Sequence, residues 1–391
     1  MRLKTSLIPS LLLVATFGYA QELVKDINSS PGSLVVASSD EESCLVCGGF
    51  VYFIGNDGTH GRELWRSDGT AAGTQLVKDT DPGVGDGAHL GARMACQNNE
   101  LYYSSNISYR SDGTAEGTGE VPGIFEEVIP FQDKLILRYL PRLILADANL
   151  NNQTLIKEFT YGPGEYLDIS VVVANNYAFV VVNHIATVGF ASLGIDLWAY
   201  DGTTITMVKQ FTAPNIRLYP FPLGDKVVFM AKDDTHGEEP WVSDGTAVGT
   251  TLLYDLLPGS ATPNAWIIPN SINGKLFIGM ASPSATWVTD GTAAGTSKIF
   301  DGFEAHDVRA FSDKLYFNMK EADVGDKSLI IRTDLNYINQ HSVAAPVASD
   351  ITFLDVAGNN LLYTVDAPGL GNEILLPRWN NRRTQFIEGY Q

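Results

Sequence analysis

Residues 63–74 read ELWRSDGTAAGT, and much of the chain repeats them. SDGTAEGT returns at Ser111, SDGTAVGT at Ser243 and TDGTAAGT at Thr289. With the aspartate as a ruler, the marks fall at Asp68, Asp112, Asp147, Asp201, Asp244, Asp290 and Asp334. The steps between them are 44, 35, 54, 43, 46 and 44 residues. The short and long steps compensate, so one boundary has slid and the period is about 44. One more step lands near Arg378, in ILLPRWNNRRT, which has the look of a decayed eighth copy. The DGT triplet has become DAN at Asp147 and DLN at Asp334.

Each unit has the same grammar. A strand such as LVKDT at Leu76, LIKEF at Leu155, MVKQF at Met207 or LLYDL at Leu252 comes first, often followed by Pro-Gly. A weaker apolar stretch and a polar turn follow, then a strong apolar strand, such as VYFIG at Val51 or VVFMA at Val227. The aromatic strand ELWRS and its relatives come last. Apolar runs rich in β-branched and aromatic residues, bounded by Gly, Pro, Asn and Asp, mark strands. No stretch of helical length shows a 3.6-residue period beyond the first twenty residues. Four short strands in about 44 residues is the size of a propeller blade. The expected fold is therefore all-β: one repeat domain over residues 21–391, a β-propeller of eight four-stranded blades. A seven-bladed ring is the main alternative, and a straight β-solenoid the third. A strand at Leu23 opens the mature chain and TQFIEG at Thr384 ends it, so either could complete the blade formed by the other end.

The motif itself suits a tight turn. Glycine takes positive φ without penalty, and the aspartate oxygen can accept backbone N–H groups across the turn. Structural turns are expected at Asp68-Gly69-Thr70, Asp112-Gly113-Thr114, Asp201-Gly202-Thr203, Asp244-Gly245-Thr246 and Asp290-Gly291-Thr292. Trp65, Trp198, Trp241 and Trp287 stand three residues before the aspartate, and Tyr109 takes that place in the second unit. A large ring recurring once per unit is expected to pack between blades. The other reading is a set of aromatic platforms for sugars.

The formal charge of −19 argues against nucleic acid, whose phosphates such a surface repels. Arg2 and Lys4, an apolar run over residues 7–17 and Gly18-Tyr19-Ala20 form a secretory signal over residues 1–20, with cleavage expected after Ala20. The expected address is secreted or periplasmic. No later stretch approaches the length of a transmembrane segment. Cys44, Cys47 and Cys96 allow one disulfide in an oxidising compartment. Cys47 and Cys96 each precede a polar turn and a strong strand, which places them at near-equivalent points of neighbouring units. A pair between them, free buried thiols and a metal site all remain open.

The string ELWRSDGTAAGTQLVKDTDPG resembles the repeat that names the ELWxxDGT repeat family of secreted bacterial proteins. The resemblance covers nearly the whole mature chain, more weakly over residues 120–194 and after residue 305. It implies export and a β-propeller-like or related all-β fold. It brings no activity, substrate or catalytic residue with it.

Few residues suggest chemistry. DGTHGRELW places Asp57, His60 and Glu63 together, and DDTHGEEPW places Asp233, Asp234, His236 and Glu239 together. Histidine beside carboxylates can serve acid–base or metal chemistry, whereas a loop copied in two units is what structural duplication gives. Asp79, Asp81 and Asp86 in DTDPGVGDG are the best calcium candidates, without the full spacing of a calcium loop. No GxSxG elbow or GxxxxGK loop is present. Residues 184–194 form a longer, more apolar loop than their counterparts and are the first choice for contact with a partner. The expected function is a non-enzymatic binding, adhesion or cell-envelope scaffold module for an unknown protein or glycan. The alternative is a carbohydrate-active or other hydrolytic propeller enzyme, and a structural calcium-dependent protein comes third.

Overall fold

The connection through a DGT segment is too short to carry the chain to another sheet, so it must fold its flanking strands into a hairpin. The computed structural model describes residues 27, 44–89, 92–105, 107–123, 125–212, 218–233, 235–321, 328–337, 341–342, 351–357, 360–367 and 371–375. The expected export signal, the strands expected at Leu23 and Thr384 and the eighth motif copy expected near Arg378 lie outside the described residues. Among those described, every regular element is a β-strand, and no helix is long and apolar enough to cross a membrane.

The strands form eight antiparallel sheets in chain order. The first sheet takes Cys44–Cys47, Phe50–Asn56, Arg62–Ser67 and Gln75–Lys78. The second takes Arg93–Gln97, Glu100–Ser104, Ser108–Ser111 and Gly119–Glu120. The third takes Glu127–Phe131, Lys134–Tyr139, Arg142–Ala146 and Thr154–Glu158. The fourth takes Glu165–Ala174, Tyr177–Ala186, Ser192–Tyr200 and Ile205–Phe211. The fifth takes Phe221–Leu223, Lys226–Lys232, Glu238–Ser243 and Thr251–Leu252. The sixth takes Ala265–Ile272, Lys275–Ala281, Ser284–Thr289 and Ser297–Asp301. The seventh takes Phe303–Phe311, Lys314–Glu321, Ser328–Asp334 and His341–Ser342. The eighth has three strands among the described residues, Ile351–Ala357, Asn360–Ala367 and Gly371–Leu375. The chain divides into two compact units, Met1–Ile124 with the first two sheets and Phe125–Gln391 with the other six. Within each unit, the first strand of one sheet lies beside the first strand of the next.

The sheet boundary differs from the order in which the sequence units read. The LVKD-type strand pairs with the aromatic strand before it, as Gln75–Lys78 does with Arg62–Ser67. It therefore closes a sheet. The longer Pro-Gly segment that follows makes the crossing to the next sheet. The second strand of each sheet reads as a continuous apolar run because both of its faces are covered. In the fifth sheet, Val227, Val228, Phe229 and Ala231 are all buried. Each such side chain stabilises by roughly 1.5–3 kcal/mol.

The four full motif copies close in the same way. Asp68 Oδ1 accepts from Thr70 N at 2.9 Å and from Thr70 Oγ1 at 2.7 Å. Thr70 Oγ1 in turn accepts from Gly73 N at 2.9 Å, and Thr74 Oγ1 donates to Thr70 O at 2.8 Å. Across the hairpin, the Ser67 and Thr74 hydroxyls meet at 2.7 Å. The turns at Asp112, Asp244 and Asp290 repeat these bonds. Thr70 donating to Asp68, and Thr114 and Thr292 to their aspartates, hold those carboxyls below the usual range. The second glycine has a steric reason. A Cβ on Gly73, Gly117, Gly249 or Gly295 would fall on its own turn's aspartate carboxylate. The shorter turn at Asp201 uses Thr203 and Thr204 as donors, and Asp147 uses the amides of Asn149 and Asn151.

The ring three residues before the aspartate lies against the preceding sheet. Trp241 meets Phe211 edge-on at 5.3 Å, Trp198 meets Phe159 at 5.8 Å, and Trp287 meets Tyr254 at 5.4 Å. Tyr109 joins the core shared by the first two sheets. Trp65 is buried against Gly55 of its own sheet. A register shift sits next to the ring at Leu64/Trp65, Leu197/Trp198 and Thr286/Trp287. The extra residue belongs to the LVKD-type strand. This bulge twists the strand locally. The lysine of the same strand then covers the next sheet's ring: Lys157 Nζ is 4.2 Å from the Trp198 ring centre and Lys209 Nζ 4.6 Å from that of Trp241.

Cys47 and Cys96 are joined in a disulfide between the first two sheets, and Cys44 is free and exposed. Thiol titration of the denatured, unreduced chain is expected to find one free thiol, rising to three on reduction. Cys96→Ser is expected to cost the first unit about 2–4 kcal/mol in urea. A second prediction concerns the turn. Gly249→Ala is expected to cost about 1–3 kcal/mol, and the cost should shrink in an Asp244→Ala background. A coupling below about 0.5 kcal/mol in that double-mutant cycle would show that the carboxylate does not occupy the space.

Candidate functional site

In a four-stranded meander, the turns joining strands one to two and three to four lie at one end of the sheet. Every DGT turn therefore lies at that end. The turn between strands two and three, and the crossing to the next sheet, lie at the other. Residues that differ between units are concentrated there.

The fourth sheet departs most from its neighbours. Its first three strands have 10, 10 and 9 residues, against 3, 7 and 6 in the fifth. The hairpin over residues 184–194 is thus a continuation of two strands, not the loop that the sequence suggests. Its base is tied by Thr187, whose N and Oγ1 both donate to Gly164 O, at 2.8 and 3.0 Å. At the tip, Val188 is 88% exposed and Phe190 74%. Phe190 holds φ at 55°, in the left-handed region that costs a bulky residue steric strain. Its ring stands edge-on to Tyr166 at 6.5 Å, and Leu193 and Tyr161 are exposed as well.

Below this tip is a cavity of about 190 Å³ lined by Lys157, Glu158, Phe159, His184, Asp196 and Trp198. His184 Nε2 lies 3.3 Å from Asp196 Oδ2, and its Nδ1 lies 3.8 Å from Glu165 Oε2. Asp196 Oδ1 also accepts from Gln210 Nε2 at 2.8 Å. The pair went unnoticed in the sequence because its members stand twelve residues apart on paired strands. The available signal was polar Asn183-His184 at the end of an apolar run; in the register Asp196 stands diagonal to His184, two positions beyond its partner Gly194.

The two histidine loops are built alike. His60 Nδ1 is 2.6 Å from Asp57 Oδ2, and His236 Nδ1 is 2.9 Å from Asp233 Oδ2. The bond to its aspartate raises the pKa of each histidine. Burial works against ionisation of Asp57 and Asp233, but bonds from the neighbouring Thr and His outweigh it and keep both carboxyls ionised. The glutamate three residues on turns inward. Glu63 accepts from Thr80 Oγ1 at 2.6 Å and from the amides of Asp81 and Gly87 at 3.2 and 3.1 Å. Glu239 accepts from the amides of Leu256 and Leu257 at 2.8 and 3.2 Å. Each carboxyl thus fastens the Pro-Gly crossing of its own unit. A Cβ on Gly61 or Gly237 would strike the backbone of that crossing.

The calcium candidates do not converge. Asp86 caps Arg62 N at 2.8 Å, the Asp81 amide serves Glu63, and Asp79 Oδ2 faces Gly83 N at 3.5 Å. Among the described residues, no group of three or more His, Cys, Asp and Glu side chains is placed to hold a metal ion.

No family model matches the chain, and no curated protein matches it. Three solved structures align loosely. A puromycin-hydrolyzing peptidase of Mycobacterium tuberculosis gives a TM-score of 0.41 at 12% identity, over 88% of this chain. The alignment takes in 51% of the peptidase, so this chain spans about half its length. The AfRom2 CNH domain gives 0.35 at 10%, over 73% of this chain and 94% of its own. A protein described as TolB from Agrobacterium tumefaciens gives 0.30 at 14%, over 57% and 82%. At such TM-scores these likenesses establish neither fold nor activity.

The buried glutamates make stability depend on pH. Burial pushes the Glu239 carboxyl up to about 7, although the two amide bonds favour its ionised form. Burial raises Glu63 as well. The folded chain then keeps a proton that the unfolded chain loses near the ordinary glutamate value. The contribution is full below the ordinary glutamate value, declines above it, and is lost as pH rises through about 7. Glu239→Gln is expected to gain stability relative to the parent between pH 5 and pH 8, by an amount on the order of 3 kcal/mol. Urea midpoints at the two pH values measure this, and parallel pH profiles for parent and variant would refute it.

Proposed function

We propose that this chain is an exported binding module, in adhesion or as a cell-envelope scaffold, that captures a protein partner through the hairpin of its fourth sheet. The observation that carries the reading is the tip of that hairpin. Phe190 is a large aromatic held in a strained backbone conformation, with its ring in water beside Val188 and Leu193. Exposed apolar clusters of this kind mark sites of association. The repeated residues, by contrast, are occupied by turns and by packing between sheets.

In this reading the sheets are the blades of one eight-bladed β-propeller of the ELWxxDGT repeat type. The succession of four-stranded meanders, and the neighbouring first strands within each unit, support it. The Cys47–Cys96 disulfide and the signal-like residues 1–20 support export to an oxidising compartment. A second reading, a glycan-cleaving enzyme, draws on His184 and Asp196 beside Trp198 in one cavity.

The test is a binding screen of the mature chain against envelope proteins and glycans, with calcium and with chelator, repeated with Phe190→Ala and Val188→Asp. Retention of a protein partner, weakened at least tenfold by either substitution, is the expected result. Unchanged binding in both variants would overturn the hairpin reading. Glycan cleavage lost on His184→Ala would favour the enzyme.

A further inference from the structure

A second cavity, of about 420 Å³, opens between the fifth and sixth sheets, at the end away from the DGT turns. We propose that it is a binding site for an organic cation, a substituted ammonium group held by the Glu238 carboxylate against Tyr219 and Phe221. This does not rest on the hairpin reading, since the cavity shares no residue with that site.

The walls are mostly apolar. Phe221, Met230 and Ile267 belong to the core shared by the fifth and sixth sheets. Tyr219 stands two residues before Phe221 and is 58% exposed, at the mouth. Trp266 contributes to the wall, while its ring stacks on His306 at 4.9 Å. A volume of this size is in the range of small-molecule sites, which are typically apolar with a few polar anchors.

Glu238 is the one carboxylate in the lining. It begins the third strand of the fifth sheet, on the face that carries Val242 into the shared core. Among the described residues no hydrogen bond or ion pair holds its carboxylate. Burial pushes its pKa up, and the attraction of Lys232, its direct cross-strand partner, opposes this. Its neighbour Glu239 and Glu63, the equivalent of Glu239 in the first unit, are satisfied by backbone amides. The corresponding position in the first unit is Arg62, which pairs with Asp86. The duplicated loop thus carries a new carboxylate, held by no hydrogen bond or ion pair among the described residues, where an aromatic cavity opens. A ligand suited to it needs a positive charge for Glu238 and apolar surface for the rings and Met230. Substituted ammonium groups have both, and aromatic faces attract them. The net charge of −19 favours the approach of a cation.

The probe is choline, compared with 3,3-dimethylbutan-1-ol, its uncharged isostere, by calorimetric or NMR titration of the mature chain. Saturable choline binding is expected, with the isostere at least tenfold weaker. Glu238→Gln is expected to weaken choline at least tenfold, and Tyr219→Ala severalfold, with unchanged thermal midpoints. Because Tyr219 is exposed, its replacement leaves the core intact and keeps the test sound if Glu238→Gln alters the fold. Absence of saturable choline binding, equal binding of the isostere, or indifference to both substitutions would overturn the assignment. Loss of binding at the fourth-sheet hairpin on Phe190→Ala should leave choline binding unchanged, which separates the two proposals.

Discussion

The aspartate carboxylate of the DGT turn is the group on which the rest of the structure depends. One oxygen collects an amide and a hydroxyl, and the hydroxyl collects a further amide two or three residues on. This closes the loop on itself and gives partners to the amides of its first glycine, its two threonines and its second glycine. The carboxylate fills the space beside the second glycine, which explains why that position admits no side chain in the four full copies. The first glycine faces outward onto the preceding sheet. At Gly245 a Cβ would meet the Tyr177 ring. The same turn thus sets the hairpin and docks it.

What joins sheet to sheet is a second repeated device. The ring before the aspartate lies on the preceding sheet, and the last strand of that sheet covers it with a lysine or a tyrosine. Lys157, Lys209 and Tyr254 occupy this place over Trp198, Trp241 and Trp287. The bulge beside the ring is what brings both the lysine and the preceding buried residue, Val208 in the fourth sheet, to the same face. A strand without that extra residue would turn one of them to the opposite face. The lysine stem also shields apolar surface, so the contact is packing as much as charge.

Polar residues in this chain divide into two kinds. Those that recur at equivalent places serve the backbone. Asp57 and Asp233 fold their loops, and Glu63 and Glu239 fasten the crossings that follow. Some that occur once line cavities instead. His184 and Asp196 line one cavity, and Glu238 lines another. Repetition is therefore a sign of construction in this molecule.

The all-β class, the strong strands, the position of each turn and the recurrence of the rings were legible in the sequence, because each follows from residues within one period. Alternation, glycine φ and the aspartate side chain act over a few residues. The pairing of the LVKD-type strand was not legible from the order of the units, since a strand has two edges and only the length of its connections selects its partner. Cys47 and Cys96 could be named as candidates by their equivalent positions, but their union required the first strands of two sheets to lie side by side. The carboxylate roles were decided by tertiary structure alone. Glu238 and Glu239 are adjacent in sequence, yet strand alternation sends one to a cavity walled in part by the sixth sheet and the other to backbone amides of the crossing that follows its own sheet.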